Sequence, residues 1–377
     1  MSSEPNVPRG ISVVIATKGR VKLLDELLES LDAARSRFPL PSEVILVDDS
    51  SPDDVREIED MCERHDARRI AFGPSVAEKR NVGVRNSRYD VALLLDSDCL
   101  ATPELLNEHY RRYEDSSVGA VAGLLEFVGP DTWFWEAVAN SQFVVCFDFP
   151  RWMETVPWTP TANCSVRRDV FEALGGFDRD FPDKPGGEDV DLGLRITQGG
   201  HVMTCNPKAL VYHQKKTWIP VKAMIKRLWH YGSADLFLME RHPDLLYPCY
   251  PRRTLLVLAV VALCVVFAAL ASPLALAVAP IVLLVDLALC AVAMQSYEKR
   301  RVNFLQQVVI QLLILDNELG FLFRCLERRR FDFIGQQLIY FDGQAFGIVD
   351  RGSLLTLAHL GSAVLLAVLL LATTVLA

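Results

Sequence analysis

The chain of 377 residues contains no Asp, Glu, Lys or Arg between Thr254 and Val285, and none from Gly352 to Ala377. A spanning helix needs roughly 20 apolar residues, and charge-free runs of this length are rare outside bilayers. These runs therefore favour membrane spans near residues 254–271, 273–294 and 353–376 over the alternative of buried helices in a soluble chain. The first ten residues have no apolar segment of the signal-peptide kind, so the first ~250 residues are expected to stay in the cytoplasm. Nine cysteines are scattered with no Cys-x-x-Cys pair, which argues against a zinc ribbon and a disulfide framework. Excess positive charge is also missing. At a net charge of −8 a general nucleic-acid surface is not expected. No internal repeat or low-complexity segment is present.

What charge there is near the apolar runs is ordered. Arg252 and Arg253 precede the first span, Lys299, Arg300 and Arg301 follow the second, and Arg328, Arg329 and Arg330 precede the third. By the positive-inside bias these clusters face the cytoplasm. The expected protein is integral to the inner, cytoplasmic membrane, in contact with membrane lipids, with its C-terminus outside. Residues 302–326 are apolar but carry Asp316, Asn317 and Glu318 in mid-segment, which suits an interfacial or re-entrant helix better than a full span. Residues 217–250 alternate Lys222, Lys226 and Arg227 with Trp218, Met224, Ile225, Leu228 and Trp229. That composition fits either a helix on an anionic leaflet or an ordinary amphipathic helix packed on protein.

The rest, residues 11–216 after a short N-terminal tail (1–10), alternates strand and helix signals. ISVVIA at 11–16, EVILV at 43–47 and the run up to Leu95 are short, continuous and β-branched or aliphatic, as strands buried on both faces are. Helical spacing follows each. The natural solution is an α/β fold with a mostly parallel sheet. In open sheets of this kind ligands bind beyond the carboxyl ends of the strands. Three strands end in polar clusters, at 17–20, 48–51 and 96–98, which should line one crevice.

In the last of these, Asp96 and Asp98 face the same way in extended chain. Two carboxylates so placed repel, and one takes up a proton unless a cation lies nearby. The pair reads either as half of a divalent metal–diphosphate site or as a solvated turn, with Asp98 or Thr102 capping a helix from Pro103. Gly186-Gly187-Glu188-Asp189-Val190-Asp191 puts three acids at a helix start. They either complement the helix dipole or include a general base, with Gly-Gly allowing close backbone approach. His213, in Val-Tyr-His, is structural or completes a mixed N/O metal shell.

ISVVIATKGR, ILVDDSS, AEKRNVGVRNS, LLLDSD, TANCSVRRDVFEALGGFD, GGEDVDLGLR and VYH stand in an order that resembles the GT-A-fold glycosyltransferases of family 2, over about residues 11–243. The resemblance implies a Rossmann-like catalytic domain with C-terminal membrane helices (251–377). It also implies inverting transfer of a sugar from a nucleotide-sugar donor, a UDP-sugar first among them, with Mn²⁺ or Mg²⁺ as cofactor. By the same resemblance Thr17 and Arg20 lie in the nucleotide loop, Asp49 bonds the base, and Arg80 and Asn81 sit near the phosphates. Asp96 lies by ribose and metal, while Asp98 and His213 are metal ligands. Asn163 and Arg167 belong to the segment that closes over the sugar. Asp189 is the catalytic base, Glu188 helps hold the acceptor, and Asp191 braces its helix. Processive relatives carry Gln-x-x-Arg-Trp, which is absent from the stretch 225–229, and three spans are few for a polymer channel. A single transfer to a lipid-linked or membrane-associated acceptor is expected. A processive synthase and a nucleotidyltransferase are the rival readings.

Overall fold

The short apolar runs at 11–16, 43–47 and up to Leu95 become adjoining strands of an eight-stranded sheet in the computed structural model, which describes residues 9–181, 186–248, 253–298, 302–341 and 348–375. The basic residues 252 and 299–301 and most of the N-terminal tail lie outside the described residues. Two compact units are defined, one of residues 1–130 and 142–217, the other of 131–141 and 218–377.

In the first unit the order of elements is β1 (Ile11–Thr17), α1 (Val21–Arg37), β2 (Ser42–Asp48), α2 (Pro52–Arg64), β3 (Ala67–Ala71), α3 (Val76–Arg85) and β4 (Val91–Asp96). These are followed by β5 (Cys99–Ala101), α4 (Leu105–Tyr110) and β6 (Val118–Val128). After α5 (Trp133–Ala139), which groups with the second unit, come β7 (Asn163–Arg167), α6 (Arg168–Ala173), α7 (Glu188–Gln198) and β8 (Val202–Gln214). The sheet order is β3-β2-β1-β4-β7-β6-β8-β5. β1, β2 and β4 are parallel, as their two-sided burial requires, with the partly exposed β3 parallel at the edge, and β6 runs parallel to β8. β7 lies antiparallel between β4 and β6, and β5 antiparallel on β8.

Register positions the site. Thr17 pairs with Asp48, and Ala16 with Asp96, so the polar clusters after β1, β2 and β4 emerge along one carboxyl edge. The short β5 pairs Cys99 with His213 of β8, which brings a residue 115 positions downstream of Asp98 beside the acidic turn. Helix α3 lies against β1 with Gly83 at the contact. A Cβ there would come within 2.2 Å of Val14 Cγ1.

In the second unit, α8 (Val221–Arg241) is followed by β9 (Leu246–Pro248), α9 (Arg253–Leu270), α10 (Ala275–Glu298), α11 (Phe304–Arg328), β10 (Gln336–Leu338) and α12 (Ile348–Val375). Helices α9, α10 and α12 are long and apolar enough to cross a membrane, with a third or less of each apolar window buried. Leu258, Val265, Leu284, Leu360 and Val368 are among the aliphatic residues left facing outward. Helix α11 is shorter of apolar surface because its polar residues serve packing. Asn317 donates to Leu228 O of α8, Glu318 accepts from Thr254 of α9, and Gly232 and Gly320 let the α8 and α11 backbones touch. Met224 and Leu228 are fully buried, and Trp218 lies under the Arg227 guanidinium at 3.8 Å.

Because the contact at Gly83 leaves no space, Gly83→Ala should overpack the α3–β1 seam and cost about 1–3 kcal/mol. Urea unfolding of the purified chain measures this.

Candidate active site

Arg80 is the hub. It lies on α3, whose start is capped by Ser75 accepting from Glu78 N, and its guanidinium is buried. One Nη donates to Glu188 Oε1 at 2.8 Å and the other to Asp96 Oδ1 at 3.2 Å. Burial alone would lower its pKa, but the charges of Asp96, Glu188 and Asp189 raise it, so the side chain stays charged. The end of β4 and the start of α7 are thereby held together by one cation.

The acidic turn after β4 meets β8. Asp98 is buried, and its Oδ1 lies 3.3 Å from His213 Nε2, while Asp96 Oδ2 is 4.0 Å from the same nitrogen. The other Asp98 oxygen accepts from Arg20 at 2.9 Å and from Thr217 Oγ1 at 3.0 Å. Arg20 reaches it from a left-handed residue that opens α1, at φ 57°. One potential ligand atom from each of Asp96, Asp98 and His213 lies within 4.8 Å of the others. Asp98 Oδ1 is buried with no hydrogen-bond partner of good geometry. Two carboxylates and an imidazole around such an orphaned oxygen fit a hard divalent cation with O and N ligands.

At the start of α7, Gly187 takes φ 85°, a conformation open to glycine, and lets the chain turn into the helix. Glu188 folds back to accept from Gly186 N at 2.7 Å and is otherwise held by Arg80. Asp189 accepts from Val190 N and remains partly exposed. Burial of its carboxylate, and then the Glu188 charge, push its pKa up to about 7 against the pull of Arg80. Asp191 points the other way and pairs with Arg195 at 2.7 Å. Arg195 in turn donates to Leu174 O and Gly176 O, bracing the preceding loop on α7.

Behind β1 and β2, Asp49 accepts from Lys18 and from the buried Lys79, which also donates to Thr17 O. Burial works to raise the Asp49 pKa, and the two lysines outweigh it, leaving the carboxylate below its usual range. Thr17 Oγ1 is buried with no hydrogen-bond partner.

Thr17, Arg20, Asp49, Arg80, Asp96, Asp98, Glu188, Asp189 and His213 thus converge along one edge of the sheet. Two residues expected at the donor do not present a free polar group there. Asn81 exchanges hydrogen bonds with the backbone of Phe177, donating to its O and accepting from its N, both at 2.8 Å. Asn163 Oδ1 accepts from His109 Nε2 at 2.8 Å, and its amide nitrogen donates to Leu124 O and Ala209 O in the sheet core. Burial pushes His109 down to about 4, so this core pair is uncharged. Arg167 pairs with Asp169 at the surface. Sequence reasoning passed over Lys79, one position before the Arg80 it singled out, and Thr217. Lys79 reaches Asp49, 30 residues earlier at the end of β2, and no local spacing signals that pairing.

Residues 12–175 match the family described as Glycosyl transferase family 2, and the chain carries a glycosyltransferase domain of that family. It is 29% identical over 273 residues to the validoxylamine A glucosyltransferase of Streptomyces hygroscopicus subsp. limoneus, covering 63% of this chain and 57% of that protein. It is 30% identical over 248 residues to the pre-mycofactocin glycosyltransferase of Mycobacterium tuberculosis, covering 63% and 49%. The chain therefore spans about half the length of these curated relatives. Among solved structures, the mannosyltransferase PcManGT of Pyrobaculum calidifontis superposes with a TM-score of 0.53 at 18% identity, over 85% of this chain and 88% of that one. The fold is GT-A.

Replacing Arg80 by Met would leave Glu188 buried without its counter-charge and Asp96 without its donor. Breaking a buried pair typically costs ~3–5 kcal/mol, and the partial exposure of Asp96 puts this site at the lower end. Chemical denaturation should show that loss. The loss should shrink in Arg80→Met combined with Glu188→Gln, since the second change removes the stranded charge.

Proposed function

We propose that the protein is an inverting, divalent-metal-dependent glycosyltransferase that moves one sugar from a nucleoside diphosphosugar to a hydroxyl of a membrane-associated acceptor. The observation that carries this reading is the meeting, at one sheet edge, of the Asp96–Asp98–His213 cluster with a carboxylate, Asp189, tuned towards neutral pH. The GT-A fold supports it, as does the archaeal mannosyltransferase of the same fold, which was solved with GDP-Man and Mn²⁺.

In this reading Asp49, kept ionised by Lys18 and Lys79, accepts from the base, and the Thr17 hydroxyl gains a partner in the nucleotide. Arg20 and Arg80 hold the ends of the acidic turn. Asp98 and His213, with Asp96 beside them, would hold a divalent ion, Mn²⁺ or Mg²⁺, whose positive charge would be available to a departing diphosphate. Asp189 takes the proton of the acceptor hydroxyl while that oxygen attacks the anomeric carbon from the face opposite the diphosphate, which inverts the centre. Glu188 is fixed by Arg80 and Gly186 N beside Asp189, where its charge raises the pKa of the base. Asn81 and Asn163 act through backbone, setting the loops on which donor-facing groups sit.

Residues 11–216 form the catalytic domain, 217–250 the connection and 251–377 the membrane region. The catalytic domain faces the cytoplasm and the C-terminus the far side, as the basic residues flanking the spans favour. In the aromatic stretch 133–152, Trp133 and Trp152 are exposed and Phe134 partly so, while Trp135, Phe147 and Phe149 are buried, so the first three offer aromatic surface to an acceptor or lipid.

Asp189→Asn should lower turnover ~100- to 10,000-fold with nucleotide affinity retained. Near-normal turnover in that variant would remove the base from the scheme. The base works when deprotonated, so kcat/KM of the native enzyme should rise about tenfold per pH unit up to about 7 and then flatten. Release of a nucleoside diphosphate, rather than pyrophosphate, separates this reading from a nucleotidyltransferase.

A further inference from the structure

A second constellation of metal-binding side chains lies within the apolar helices, and no step of sugar transfer uses it. Asp286 and Cys290 stand one turn apart on α10 and share a face. His359 comes from α12, with Ser362 one turn on. Asp286 is 2%, Cys290 0% and His359 4% exposed. His359 Nδ1 is 2.7 Å from Asp286 Oδ1, and the Cys290 sulfur is 3.9 Å from Asp286 Oδ2 and 4.0 Å from His359 Nδ1. One ligand atom from each lies within 4.8 Å of the other two.

Polar groups in such a place are costly and need a reason. A hydrogen-bonded lock between helices explains part of the cluster. Asp286 receives Ser362 Oγ at 3.0 Å and faces Arg253 Nε at 3.6 Å, while the rest of the Arg253 guanidinium bonds Gln311. The lock does not explain the thiol, which sits at the long limit of hydrogen bonding to both partners yet converges with them. It also leaves Arg253 Nε buried without a hydrogen-bond partner.

Sulfur, imidazole nitrogen and carboxylate oxygen are together the donor set of a borderline-soft divalent ion. In a tetrahedral shell such donors stand about 3.3–3.7 Å apart. The nitrogen–oxygen pair would open by several tenths of an ångström and the sulfur would close by a few tenths, within reach of side-chain rotation. We propose that Asp286, Cys290 and His359 bind one zinc-class divalent ion, with the Ser362 hydroxyl or a water as fourth ligand, and so cross-link α10 to α12. Binding releases the Cys290 thiol proton to solvent, and the Nδ1 proton that His359 shares with Asp286 leaves with it, the neutral ring keeping its proton on Nε2. The thiolate and the carboxylate then match the two charges of the ion.

Cobalt(II) tests this on the full-length chain in detergent, stripped with a chelator. Thiolate ligation gives a near-ultraviolet charge-transfer band, which a site built of Asp96, Asp98 and His213 cannot. The band should grow to a plateau at one cobalt per chain, be displaced by Zn²⁺, and persist in Asp98→Asn. It should vanish in Cys290→Ser and need at least tenfold more cobalt in His359→Gln. No band in the native protein, or an undiminished one in Cys290→Ser, would overturn the proposal. If Cys290→Ser does not fold, the native titration and His359→Gln decide. A native plateau away from one equivalent, or an unchanged midpoint in His359→Gln, overturns it equally.

Discussion

Negative charge gathered where strands end is the constraint that the catalytic unit is arranged around. Asp96, Glu188 and Asp189 come from two distant stretches of chain and meet near the buried Arg80 guanidinium, while Asp98 pairs with Arg20. Two carboxylate charges about 5 Å apart repel by on the order of 3 kcal/mol at an effective dielectric near 20. Arg80 and Arg20 offset part of that, and each is fixed in place by its element: Arg80 by a helix seated on β1, Arg20 by a left-handed turn at the start of α1. What they leave uncompensated is the inner face of Asp98 towards His213, the place where a divalent ion is most favourable.

The same electrostatics divides labour among the acids. Glu188 is held in an ion pair by Arg80 and lies next to Asp189. Asp189, next in sequence, bears the cost of burial and of its neighbour's charge, and its pKa rises to about 7 against the pull of Arg80. Asp191, two residues further round the helix, is spent on Arg195 and on the loop before α7. Three acids at one helix start thus do three different things, because successive residues on a helix point in different directions.

The parallel half of the sheet was legible in the sequence because buried strands there are short, continuous and apolar, and each is followed by helical spacing. β1, β2 and β4 and the polar clusters after them fall where that pattern puts them. The antiparallel half was not. β6 and β7 are rich in Ala, Gly, Cys and Ser, small residues that pack tightly against neighbours but carry little periodic signal, and β5 is only three residues long. Yet β5 is what delivers His213 to Asp98. That pairing was inferred from a family resemblance and not from spacing. Asn81 and Asn163 show the converse limit. Both were expected at the donor, and both are committed to backbone and core partners, which no local pattern reveals. The charged interruption in α11 was visible as an anomaly. Its physical reason is hydrogen bonding and close backbone contact with α8 and α9, and it emerges only when those helices are seen side by side.

The central claim is that Asp98 and His213 share one ion with a bound nucleotide. Electron paramagnetic resonance counts free Mn²⁺ directly, in the presence of saturating nucleoside diphosphate. The account predicts one nucleotide-dependent Mn²⁺ per native chain, with affinity reduced at least tenfold in both Asp98→Asn and His213→Ala and unchanged in Asp191→Asn. Native-like Mn²⁺ binding in the first two variants would contradict it.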